Sequence, residues 1–108
     1  MEIILYTETD CEDCENLKNL LKKANIKFKN KDLNEESENL MNKHPNKWEH
    51  IDLIRDYNLP PWVPTAVIKN NDKMTFVCSS NKTGNEGNIY IAEEPEIMIK
   101  QIKKILEL

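Results

Sequence analysis

Cys11-Glu12-Asp13-Cys14 stands between a continuous apolar run, Ile3-Ile4-Leu5-Tyr6, and a stretch in which Leu17, Leu20, Leu21 and Ala24 fall at i, i+3, i+4 and i+7. The run reads as a short buried strand over Ile3 to Thr7, of the kind found in the middle of a sheet covered on both faces. The stretch reads as one face of an amphipathic helix, closed by Asn25. Two cysteines three residues apart at such a junction lie on the first turn of the helix, close enough to form a disulfide or share a metal. The first sulfur then sits where unpaired backbone N–H groups and the positive end of the helix dipole favour a thiolate. Asp10 is placed to cap this helix, with Asp13 three residues on in a capping-box position.

A chain of 108 residues suits one domain with one modest core, here taken as residues 1–108. With 39% hydrophobic and 31% charged residues it belongs among globular chains rather than disordered ones. A net charge of −4 argues against a nucleic-acid or anionic-membrane surface. No apolar run approaches membrane length, and the first residues lack the basic start of a leader, so a cytoplasmic location is expected. Three cysteines with only one close pair do not make a secreted disulfide framework. In a reducing compartment such a pair is more often catalytic or metal-binding.

Ile26-Lys27-Phe28-Lys29-Asn30 alternates and reads as a second strand, parallel to the first across a right-handed crossover. Asn34 with Glu35 and Glu36 predicts a helix that Pro45 stops near His44. A further helix opens at Asn46 and carries Trp48, Ile51 and Ile54 on one side. Trp48 is expected in the core, and His44 and His50 on the solvated surface. Leu59-Pro60-Pro61-Trp62-Val63-Pro64 cannot be helical. Thr65 to Ile68 is the third strand, and Asn70-Asn71-Asp72 a tight turn. Met74 to Ser79 is a fourth strand hairpinned to the third, placing Cys78 beside Met74 and Phe76 as a buried, inert thiol. Residues 79–88 form a polar loop, 88–91 a short extra strand, and Pro95 opens a last helix with Met98, Ile102, Ile105 and Leu106 inward. The order β-α-β, helix, β-β-α gives an α/β fold in three layers, α/β/α, around a mixed four-stranded sheet.

This order, with Tyr6-Thr7, Cys11-x-x-Cys14 and a distant Val63-Pro64-Thr65 just ahead of a strand, resembles the thioredoxin fold, and the short start is most similar to a glutaredoxin. Ile54 to Leu59 is likewise similar to the helix end and loop of thioredoxins. The resemblance implies a thiol–disulfide oxidoreductase in which Cys11 is the nucleophile and Cys14 resolves the mixed disulfide. It implies that Pro64 is cis, although only about 5–6% of X–Pro bonds are, and that Val63 offers its N–H and C=O to an extended substrate. Thr65 and Trp62 complete the expected substrate-binding segment, Trp62 either as an aromatic wall beside the disulfide or as core filling.

The chain departs from glutaredoxins at places that meet glutathione. Glu8 stands where they carry Lys, Trp62 where they carry Thr, and Ser79-Ser80-Asn81 where they carry a Gly-Gly turn. Leu5 replaces the buried Asp of thioredoxins. Glu8, Asp10, Glu12, Asp13 and Glu15 surround the cysteines with negative charge, which opposes a thiolate while the helix terminus favours it. Glu8, Asp10, Glu12 and Asp13 are therefore expected to tune the pair toward a reductant. No tightly bound cofactor is implied. Electrons would come from glutathione or, as Glu8 suggests, a flavoprotein reductase, and the partner would be a disulfide-containing protein met by a monomer. The contrasting reading is a thioredoxin-fold binding module that keeps the pair for a metal or an iron–sulfur cluster. Cys11, Cys14 and a carboxylate form only part of a four-ligand site.

Overall fold

The computed structural model describes residues 1–39 and 41–107. β1 (Glu2–Thr7) runs into α1 (Glu12–Lys23), followed by β2 (Lys29–Asp32), α2 (Pro45–Tyr57), β3 (Thr65–Asn70), β4 (Lys73–Ser79), β5 (Gly84–Glu86), β6 (Ile89–Ala92) and α3 (Pro95–Leu106). The strands lie in the order β2-β1-β3-β4-β6-β5. β1 pairs parallel with β2 and antiparallel with β3, and β3 is antiparallel to β4. The sheet thus has six strands rather than the expected four. β5 arises within the 79–88 segment expected as a loop, and β6 is the short extra strand expected at 88–91; the two form a hairpin turned by Gly87 in the left-handed region (φ 60°), with β6 parallel to β4.

Alternation along β1 sorts the core into two layers. Ile3 and Leu5 face Leu17 and Leu21 of α1 and Met98, Ile99 and Ile102 of α3. Ile4 and Tyr6 face the other way, with Val67, Phe76 and Cys78, against Leu53 and Ile54 of α2. Helices therefore cover both faces, as the element order predicts. α3 begins at Pro95 and buries Pro95, Met98, Ile99 and Ile102, while Ile105 and Leu106 are half-buried.

Three expectations are corrected. β2 begins three residues later than its alternation suggests. Ile26 and Phe28 precede it and pack on the α1 side, while Lys29 to Asp32, an edge strand needing no apolar face, takes the pairing. No helix forms among the described residues of 34–44, and Leu40 lies outside them. Pro45 starts α2 instead of ending a helix before it, because a missing N–H costs nothing at the first helical position. α2 then closes at Asn58, which is left-handed (φ 56°). Finally, α2 is turned so that Glu49, His50, Leu53 and Ile54 meet the sheet. Trp48, expected inside, is 55% exposed, and His50, expected outside, is 3% exposed. His44 is half-buried at the start of the same helix.

Candidate redox site

β1, β3 and β4 place three loops at one end of the sheet. Tyr6 pairs with Thr65, and Thr65 with Cys78. The segment leaving β1 toward Cys11, the segment Trp62-Val63-Pro64 entering β3 and the segment leaving β4 at Ser79 therefore share that end. Cys11 and Cys14 are joined as a disulfide with Cα atoms 5.2 Å apart. Cys11 itself caps α1: its Sγ accepts the Cys14 N–H at 3.1 Å, and its carbonyl accepts the Glu15 N–H. Asp10, expected as the cap, instead turns the chain in the left-handed region (φ 61°) one residue too early. Cys11 is half-buried and Cys14 fully buried, so the first sulfur is the accessible one.

The loop before Cys11 is held from the side by a turn at Asp32 to Asn34, where Asn34 is expected to open a helix. Thr9 N–H donates to Asn34 Oδ1 at 3.0 Å and Thr9 Oγ1 to Asp32 Oδ2 at 3.2 Å. Asp32 Oδ1 accepts the Asn34 N–H at 2.7 Å, a local side-chain turn that signals itself as Asp-x-Asn. Glu8, Asp10, Glu12, Asp13 and Glu15 are all exposed around the pair, and Glu15 reaches Lys18 at 2.6 Å. Cys78 is fully buried, and burial pushes its thiol up to about 12. It is far from thiolate formation at neutral pH. Among the described residues no group of three or more His, Cys, Asp or Glu is placed to hold a metal ion, and no helix is long and apolar enough to cross a membrane.

The Val63–Pro64 peptide is cis. Pro64 is buried, Val63 half-buried and Trp62 47% exposed, which excludes core filling for Trp62. Thr65 is fully buried and reaches this segment from beneath: its hydroxyl donates to the Trp62 carbonyl at 2.9 Å and contacts His50 Nε2 at 3.0 Å. His50 also stacks on Tyr6, with ring centroids 5.4 Å apart. Tyr6 in turn donates its hydroxyl to Glu49, which Lys31 Nζ meets at 2.7 Å. Burial, then the Glu49 contact, raises the Tyr6 phenol. At Glu49 burial pulls upward, but the Lys31 and Tyr6 hydrogen bonds outweigh it, and the net shift is downward. Burial alone holds His50 below 6.5.

A Cys-x-x-Cys disulfide at the β1–α1 junction and a cis-proline segment at the same end of the sheet, in a three-layer α/β/α fold, are the arrangement of a thioredoxin-like protein suited to thiol–disulfide redox chemistry in general. Residues 3–48, which carry both cysteines, match the glutaredoxin family model. Two solved structures are similar to it. One is the crystal structure of the thioredoxin-like protein BC3987, 27% identical over 62% of this chain and 77% of its own, with a TM-score of 0.45. The other is a mutant of that protein, 25% identical over 62% and 76%, with a TM-score of 0.43. No curated protein matches the chain.

Proposed function

We propose that this protein reduces disulfides in other proteins by dithiol exchange through Cys11 and Cys14. The Cys11 thiolate attacks one sulfur of the substrate disulfide. A mixed disulfide forms and the other substrate sulfur leaves as a thiolate. Cys14 gives its proton to that departing thiolate and attacks Cys11 Sγ, which releases the second substrate sulfur and closes the Cys11–Cys14 disulfide. Two electrons and the Cys14 proton have then passed to the substrate, and the second substrate thiolate takes from solvent the proton that Cys11 gave up on ionising. Val63 and Pro64 hold the substrate backbone, Trp62 flanks it, and Thr65 supports the segment from below. The observation that carries this reading is the pairing of an accessible Cys11 sulfur with a sealed Cys14 at the cap of α1.

The exposed rim of Glu8, Asp10, Glu12 and Asp13 supports a basic partner surface and disfavours the carboxylates of glutathione. A flavoprotein reductase is therefore the favoured electron donor and the cytoplasm the favoured compartment. The test is reduction of insulin disulfides with dithiothreitol supplying electrons. Wild type should catalyse it and Cys11→Ser should not. A wild type that is inactive with both thiols free would transfer the reading to a binding module.

A further inference from the structure

His50 is one of few buried polar side chains, and its hydrogen-bond partner is the residue that follows the cis-proline. A threonine hydroxyl has one proton. Here that proton goes to the Trp62 carbonyl, so Thr65 Oγ1 must accept from His50, and His50 carries its proton on Nε2. The relay His50 to Thr65 to the Trp62 carbonyl is thereby directional, with every donor and acceptor assigned. In a trans peptide the carbonyl oxygen and the next N–H point in opposite directions. The Trp62–Val63 peptide is not among the cis bonds. Holding the Trp62 carbonyl inward on a buried hydroxyl consequently aims the Val63 N–H outward. On the other side the Pro64 carbonyl is held by the Ser79 N–H at 3.0 Å. Between these two anchors, the N–H and C=O of Val63 make no hydrogen bond among the described residues.

We infer that His50 is a positioning residue for substrate capture: through Thr65 it fixes the Trp62–Val63 peptide plane so that Val63 presents its N–H to the backbone of an extended disulfide-containing polypeptide. The inference rests on the proposed disulfide exchange and adds a substrate preference to it. A polypeptide can use the aimed N–H, whereas a small disulfide without a peptide backbone cannot. The ring is locked for this task. It is stacked on Tyr6, and the neighbouring Glu49 is tied to Tyr6 and Lys31, so α2 cannot rotate without breaking both contacts.

The test compares His50→Phe, which keeps a stacking ring but no donor, with His50→Gln, which keeps a side-chain N–H. His50→Phe should raise KM for insulin about tenfold, the upper end of one lost hydrogen bond. Its kcat and its reduction potential should stay at the wild-type values, and kcat/KM for hydroxyethyl disulfide should change less than about twofold. His50→Gln should restore most of the insulin KM. A folded His50→Phe with the wild-type insulin KM, or with equal losses on both substrates, overturns the assignment. If His50→Phe does not fold, Thr65→Val against Thr65→Ser asks the same question at the middle of the relay. Should the wild type reduce no disulfide at all, the functional reading fails, and the positioning role is then decided by the Val63 amide resonance. A shift of that resonance in His50→Phe relative to His50→Gln supports it, and an unmoved one refutes it.

Discussion

Alkylation of the reduced protein should rank its three thiols in an order the structure dictates. Reduction leaves Cys11 at the cap of α1, where its sulfur accepts the Cys14 N–H. A hydrogen bond to a charged acceptor contributes about 1.5–3 kcal/mol, and the helix end adds about 0.3–1 kcal/mol. The acidic rim takes some of this back, since an exposed like charge costs up to about 1 kcal/mol at contact and less through screening solvent. The helix cap and dipole thus work for the Cys11 thiolate and the rim against it, and the cap hydrogen bond is the largest of the three. Cys14 is sealed, and Cys78 is both sealed and pushed up to about 12. Cys78 therefore holds about a thousandfold less thiolate at pH 7 than an unperturbed thiol, before access is counted. With limiting iodoacetamide at pH 6 and peptide mass spectrometry, Cys11 should be modified first, at least about tenfold faster than Cys14, and Cys78 only after denaturant is added. Cys14 reacting ahead of Cys11, or Cys11 reacting no faster than free cysteine, would refute the assignment of nucleophile.

Two further outcomes are expected. Neutralising the rim with Glu12→Gln and Asp13→Asn removes charges that oppose the thiolate. The reduced form is then favoured, and the reduction potential should rise by about 10–20 mV, as measured by redox titration; an unchanged or lower potential contradicts the tuning role. For His50, burial lowers the folded-state value below the ordinary 6.5, so on acidification the unfolded chain takes up a proton before the folded one. Stability is complete above about pH 6.5 and is lost as pH falls below it toward the folded value, by at most about 1.4 kcal/mol per pH unit. Urea unfolding between pH 7 and 5 should show that loss in wild type and a flatter profile in His50→Phe; parallel profiles would show that the imidazole stays solvated or paired.

The parts legible in the sequence are those where one physical cause dominates. β1 carries the continuous apolar run Ile3 to Tyr6, Asn25 takes the left-handed position that ends α1, and the β3–β4 hairpin turns at Asn71, which is likewise left-handed. The cis state of Pro64 came from resemblance, since nothing in the residue itself distinguishes it. Where local signals were ambiguous, the tertiary structure decided. Pro45 is equally good at stopping a helix and starting one. Lys29 to Asp32 pair by backbone alone, so their side chains carry no strand pattern. Gly84 to Glu86 have no apolar residue at all, and β5 exists only because β6 lies beside it. His50 was unreadable as a buried residue because its partner is fifteen positions away on another element. The signal for the inward face of α2 is the apolar pair Leu53 and Ile54, which helical spacing puts on one side with Glu49 and His50.

The polar rims of the sheet bear on how the molecule avoids unwanted company. A sheet ends in unpaired N–H and C=O groups that invite another chain to add on, which is the route to aggregation. Here one rim is β5, three exposed residues long and ending in Glu86, and the other is β2, with the sequence Lys-Asn-Lys-Asp. Short length on one side and charged side chains on the other make both rims poor templates. β6 meanwhile covers the flank of β4, which would otherwise offer Phe76, Val77 and Cys78. A protein proposed to receive extended polypeptides thus discourages them along its margins. The backbone it would offer instead is that of Val63, held between two anchored carbonyls at the same end of the sheet as Cys11.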